Sequence, residues 1–281
     1  MKIAFVTNPH HHEMEDDDHP LAEALARRGA MVLSASWDEE DFDWSKVDIA
    51  LLRSPWDYYK RFKQFLGWLG SVESKTRVLN PPDIVRWNAN KRYMNDLVAK
   101  GVHAVPTAFI ERNQAARLED LCREREWSTV VLKPAVSADS WETIRIEPDR
   151  YEEGQAYLER HRPERDILVQ PFVKDVEIGE EQCLVCFAGA FSHAVKKNSA
   201  FKGGRHAGPE GRLVSPSADA VAMAEDVLVR AGVSHLPYAR VDIARDEAGR
   251  PTLLELELFE PTLFFNEKPG CEEVLADILL A

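Results

Sequence analysis

Three carboxylates and one guanidinium stand at two-residue spacing in YARVDIARDEAGRPTLLELELFEPT, Tyr238 to Thr262. Two alternating runs flank the turn-forming DEAGR, which reads as a β-hairpin with a short loop. A loop centred between Ala248 and Gly249 sets Asp242 opposite Glu255 and Arg240 opposite Glu257. Residues two apart on a strand share a face, so all four side chains point the same way. Opposed Cβ atoms lie about 4.5–5.5 Å apart, and bare carboxylates that close repel. Mg²⁺, which prefers carboxylate and phosphate oxygens, would resolve the conflict. The plainer alternative is a solvated strand face with one Arg–Glu pair.

Basic residues elsewhere suit a polyphosphate. Lys133 ends the apolar strand VVLKP, and a lysine closing a buried strand needs a partner such as a phosphate. Lys91 is expected in the first turns of a helix, beside Asn88, where the dipole already attracts anions. The loop after Lys133, AVSADSWET, has small residues whose N–H groups can approach phosphates, but no glycine. Gln170-Pro171-Phe172-Val173 ends a strand and offers an extended edge to a purine. Glu177, Glu180 and Glu181 follow as acceptors for ribose hydroxyls. The glycine-rich stretch 198–212 reads as a mobile loop over substrate.

These groups need a scaffold. The opening reads as strand (2–7), loop, helix (about 21–28), then strands AMVLSA and DIALLRS, which favours an α/β lobe with a parallel sheet. Ligands gather beyond the carboxyl ends of such strands. The loop after the first strand carries His10, His11, His12, His19 and several acids. It reads as a solvated acidic loop rather than a zinc site, because its histidines lack regular spacing. Asp17 and Asp18 could still meet a substrate ammonium. In RSPWDYYKR, Arg53 offers a fork for a carboxylate, Asp57 an acceptor for an amine, and Trp56 and Tyr58 flat walls. Pro81-Pro82 follows and marks a boundary near residue 80.

With 281 residues, 44% apolar and 30% charged, the chain reads as a globular protein of one large domain or several lobes. The net charge of −13 argues against nucleic acid and anionic membranes as partners. No apolar run suits a membrane span, and MKIAFVTNP reads as a strand rather than a signal peptide. Cys183 and Cys186, three apart on a strand, should face opposite sides and pack in a reducing cytoplasm.

Taken together, N-P…N-x-x-K at Asn80–Lys91, K-P at Lys133, Q-P-F at Gln170, R-V-D at Arg240 and E-L-E-x-x-E-P-T from Glu255 resemble the ATP-grasp carboxylate–amine ligases. RSPWDYY, NPPDIVRWN, KPAVSA, FSHAVKK and ELELFEPTLF look closest to the D-cycloserine-forming (O-ureido-serine) cyclo-ligase group. The resemblance implies an α/β fold of α+β lobes: a preATP-grasp lobe over 1–80, a central lobe over 81–170 and a metal-bearing lobe over 171–281. It implies ATP with two Mg²⁺, or Mn²⁺ in their place, held by Asp242, Glu255 and Glu257. Lys91 and Lys133 would hold the α- and β-phosphates, Gln170–Val173 would bracket adenine, and Glu177, Glu180 or Glu181 would take the ribose. Arg240 would stabilise the transferring phosphoryl group, helped by Lys197 or Arg205. Asp17, Arg53, Asp57, Glu260 and Thr262 would line the site of a small amino-acid-like substrate. The implied activity is ADP-forming C–N ligation through an acyl phosphate in a cytoplasmic enzyme; the resemblance leaves a homodimer open, since dimers are common among relatives. The alternative is a catalytically weak nucleotide-binding homologue with a regulatory or scaffolding role. The resemblance departs from the family pattern at the glycine-free flap, where Asp139 and Glu142 would repel phosphate if they faced inward.

Overall fold

The computed structural model describes residues 1–10, 13–197 and 211–281. The first sheet is parallel, in the order β2-β1-β3-β4, from β1 (Lys2–Thr7), β2 (Met31–Ser36), β3 (Ile49–Leu52) and β4 (Arg77–Leu79). Strands β1 and β3 are buried almost throughout, as befits a parallel sheet covered on both faces. Helices α1 (His19–Arg27) and α2 (Phe62–Val72) supply apolar faces through Leu21, Leu25, Phe65 and Leu69. Next come α3 (Pro82–Asn88) and α4 (Tyr93–Ala99).

A second sheet is antiparallel, in the order β5-β8-β6-β7. It contains β5 (Ala108–Ile110), β6 (Val130–Pro134), β7 (Ile144–Ile146) and β8 (Ile167–Pro171), with α5 (Leu118–Arg125) and α6 (Tyr151–His161) packed on it. The third sheet follows α7 (Lys174–Ile178). Its order is β11-β10-β9-β12-β13, from β9 (Gln182–Phe187), β10 (Ala190–Lys197), β11 (Gly211–Val214), β12 (Tyr238–Arg245) and β13 (Pro251–Glu257). Strand β11 falls inside the stretch expected to be loop through residue 212. Helix α8 (Ala218–Ala231) covers one face of this sheet.

Alternation along the third sheet sorts its residues cleanly. Leu184, Cys186, Ala239, Val241 and Ile243 face α4 and α8, whereas Cys183, Val185 and Tyr238 face the core shared with the first sheet. The two β9 cysteines are therefore buried on opposite faces, as their spacing required. The last helix, α9 (Cys271–Leu280), returns to α1. Leu275 and Leu279 join Leu21 and Leu25 in one core, and Arg28 pairs with Glu273 and Asp277. The end of the chain thus clamps its beginning.

Candidate active site

The hairpin β12–β13 sets Asp242 opposite Glu255 and Arg240 opposite Glu257. The pairing anticipated from the sequence is present, but a different turn produces it. Arg245 pairs with Pro251 and Ile243 with Leu253, half a residue out of the expected register, until a bulge at Leu254 restores it. A bulge lets two successive side chains face one side. Leu254 and Glu255 both line the same cavity, while Leu253, Leu256 and Leu258 stay in the core.

That cavity, of about 460 Å³, lies where the three sheets meet. Its volume suits a ligand of nucleotide size. Its walls bring together Lys91, Lys133, Gln170, Pro171, Phe172, Val173, Glu181, Lys197, Arg240, Asp242, Glu255, Glu257, Glu260 and Thr262, all expected from the sequence.

The acids and bases within it form an interlocked charge network. Arg240 grips Asp242 through two bonds of 2.8 and 2.9 Å and also contacts Glu257. Lys197 Nζ lies 2.7 Å from Asp242 and 3.4 Å from Glu181. Lys91 donates to the Ser137 carbonyl and ion-pairs with Glu255, each at 2.7 Å, and Lys133 stands 3.9 Å from the other Glu255 oxygen. Burial opposes every one of these charges, and the partners decide the outcome. Arg240 and Lys197 hold Asp242 well below the usual carboxylate range, and Lys91 and Lys133 lower Glu255. Glu257 has only a share of Arg240; burial, with Asp242 beside it, pushes it up to about 7. Glu260 is raised to about 8 by burial and by Glu257. Lys133 is lowered by burial and by Lys91, despite Glu255.

Several expected residues sit elsewhere. Lys91 lies in the turn between α3 and α4 rather than within a helix, fixed by its N–H on the Ala135 carbonyl at 2.8 Å. Beside it, the Asn88 amide pairs with the backbone of Leu256 and Leu258, completing the edge of β13. Of the three ribose candidates only Glu181 faces the cavity: Glu177 pairs with Arg145 at 2.9 Å and Glu180 with Lys196. Arg205, His11 and His12 lie outside the described residues.

The loops beyond the first sheet are used mainly for assembly. Asp17 accepts N–H bonds from Leu263, Phe264 and Asn266, so it fixes the segment after β13 instead of lining the cavity. Arg53 is 2% exposed and reaches Asp18 at 2.8 Å and the Pro261 carbonyl at 3.1 Å. Asp57 accepts from the Trp37 indole at 2.7 Å and pairs with Arg61. Thus Asp17, Arg53 and Asp57 do not line the cavity, because each satisfies a buried partner first. Tyr58 is buried, and its neighbour Tyr59 faces the cavity with Trp56. A 3-10 turn at Tyr58–Arg61 rotates the two rings apart, a twist that the sequence pattern does not announce.

The flap after β6 answers the missing glycines in its own way. Asp139, Ser140 and Glu142 adopt φ of 49°, 53° and 51°, the left-handed region that glycine usually fills. Asp139 lines the cavity, but Glu142 turns away to Arg165 at 2.8 Å and His161 at 3.3 Å. Only one of the two acids therefore faces the cavity. Trp141 lies between the Tyr59 ring at 4.9 Å and the Arg165 guanidinium at 4.7 Å. If the cavity takes ATP, as the resemblance implies, Trp141→Ala is expected to loosen the flap and raise the KM for ATP about 3–10-fold, the worth of one aromatic contact. An unchanged KM in steady-state assays would show that the ring does not hold the flap.

Comparison with known proteins finds relatives of the chain and of its fold. Residues 3–80 match the family model for the N-terminal domain of D-cycloserine synthetase DcsG. The chain is 30% identical to the cycloserine biosynthesis protein DcsG of Streptomyces lavendulae, over 93% of this chain and 92% of that one. The crystal structure of D-cycloserine synthetase DcsG superposes with a TM-score of 0.90 at 27% identity, covering 99% and 98% of the two chains. A RimK domain ATP-grasp protein from Sphaerobacter thermophilus gives 0.71 at 16% identity over 100% of both chains. D-alanine–D-alanine ligase from Bacillus anthracis, solved with ATP, gives 0.67 at 14% over 100% and 96%. At such identities the last two show a shared fold.

Proposed function

The chain belongs to the family of the cycloserine biosynthesis protein DcsG and has the ATP-grasp fold, and on that premise we propose an ADP-forming ligase that makes a C–N bond at a small amino-acid-like carboxylate. One observation carries the reading: Asp242, Glu255 and Glu257 meet Lys91, Lys133, Lys197 and Arg240 in a single cavity. Three hard oxygen donors on one hairpin face suit Mg²⁺, and the surrounding cations suit a triphosphate. Asp242, Glu255 and Glu257 would hold the metal, which when bound neutralises phosphate oxygens and polarises the transferring phosphoryl group.

The chain's own residues do the rest. Lys91 and Lys133 exchange Glu255 for phosphate oxygens. Gln170–Val173 border the base, and Glu181 offers an acceptor to the ribose. Arg240 and Lys197 face the charge that develops as the substrate carboxylate attacks the γ-phosphorus, giving an acyl phosphate and ADP. A nitrogen nucleophile then displaces phosphate, within the same molecule if the product is a ring. Positioning and charge neutralisation supply most of the rate.

ADP release measured across small amino acids and O-ureido-serine-like compounds, with mass spectrometry of the products, tests the reading. Nucleotide binding without ADP formation across the panel would favour a catalytically weak homologue, for which Asp139 in the cavity is the supporting observation.

The raised Glu257 carboxyl gives this site a pH signature. Below about 7 it carries a proton, which metal binding must displace. Mg²⁺ affinity in the presence of ADP should therefore fall about tenfold per pH unit below that point and level off above it. Calorimetry between pH 5.5 and 8.5 would reveal this, and a flat profile would mean that no proton is displaced.

A further inference from the structure

Glu260 stands out among the acids of the cavity. It is 8% exposed, and its Oε2 has no hydrogen-bond partner among the described residues. Its carboxyl accepts from the Tyr58 hydroxyl, and its charged neighbours are Glu257, Lys91 and Glu255. The backbone around it is pinned on several sides. The Trp56 indole donates to the Glu260 carbonyl at 2.9 Å, Arg53 to the Pro261 carbonyl at 3.1 Å and Arg240 to the Thr262 carbonyl at 3.3 Å. Glu260 lines the cavity together with Trp56, Tyr59, Thr262 and Phe264.

A buried carboxyl oxygen left without a partner is costly unless a ligand completes it. Anionic groups suit this position badly, since Glu257 and Glu255 are already near. A cationic N–H donor meets both needs, because it satisfies the free oxygen and offsets the excess of acid. We propose that Glu260 Oε2 receives the ammonium group of the amino-acid substrate, so that Glu260 sets the specificity for amino over non-amino carboxylates. The assignment rests on the ligase reading above.

Paired probes test it. ADP release is compared for O-ureido-D-serine against its desamino counterpart, 3-(ureidooxy)propanoate, and for D-alanine against propanoate. The wild type should favour the amino member of a pair by roughly 10–100-fold in kcat/KM, the worth of one charge-assisted hydrogen bond. Glu260→Gln matches the shape of the protonated acid and should keep the fold. It should shrink that preference to within about threefold and leave the KM for ATP unchanged. A preference that survives in Glu260→Gln would overturn the proposal, since a neutral amide would then suffice. A parallel rise in the KM for ATP would overturn it too, by assigning the carboxyl to the metal cradle. Turnover of both members alike by the wild type would remove the Glu260 assignment alone. Silence toward every pair would remove the ligase reading and this assignment with it.

Discussion

Glu257→Gln is expected to lower ADP formation by ~10³-fold or more while thermal stability stays near that of the wild type. The contrast with Asp242→Asn makes the prediction specific. In the folded protein Glu257 already resists ionisation, because it is largely desolvated beside Asp242 and Glu255 and has only part of Arg240. A glutamine there removes little that the fold relies on, yet it deprives a metal of an anionic oxygen. Asp242 is the opposite case. It is the shared counter-charge of the buried Arg240 and the half-buried Lys197, both held protonated by it. Asp242→Asn should therefore cost activity and also about 3–5 kcal/mol of stability, as expected when one partner of a buried ion pair is removed. Activity is read by coupled ADP release and stability by thermal unfolding. Near-normal turnover in Glu257→Gln would take that residue out of the metal set.

Asp18→Asn should destabilise the protein by about 3–5 kcal/mol and lower Tm by roughly 6–15 °C, with the KM for ATP unaffected. Arg53 is completely enclosed, and Asp18 is its carboxylate partner at 2.8 Å. Burial leaves Asp18 raised in spite of Arg53, whereas Asp18 leaves Arg53 raised in spite of burial. Unlike at Glu257, the arginine decides here, because Asp18→Asn would leave a fully enclosed guanidinium without its counter-charge. The guanidinium cannot shed its proton, so its counter-ion is what keeps it tolerable inside the fold. Because Arg53 also bonds the Pro261 carbonyl, the loss loosens the junction between the first sheet and the end of the hairpin. The double replacement Asp18→Leu with Arg53→Met should recover much of the loss, since no unpaired charge remains. Thermal melts of the single and double variants decide the matter. An unchanged Tm in Asp18→Asn would mean that the pair does not support the fold.

Much of the cavity could be read from the chain because period-two spacing is a local property. Arg240, Asp242, Glu255 and Glu257 share a face by virtue of their positions on two strands, and Lys133 and Gln170 end apolar runs that had to be strands. The order of these short motifs then identified the fold, although each alone is weak.

What only the tertiary structure decided was which polar groups are free for a ligand. Arg53, Asp57 and Asp17 have the right chemistry for a substrate, but each is engaged by a partner distant in sequence: Asp18, Trp37 and the backbone of residues 263–266. Glu177, Glu180 and Glu181 lie within five residues, yet only the last turns into the cavity. Glycine-like φ values at Asp139, Ser140 and Glu142 likewise reflect the surroundings of the flap rather than its residue types. The sequence by itself thus determined local direction, the alternation that puts donors on one face and bases at strand ends. Partner choice depends on distances between segments far apart along the chain, and these exist only once burial has forced each charge to find its nearest counter-group.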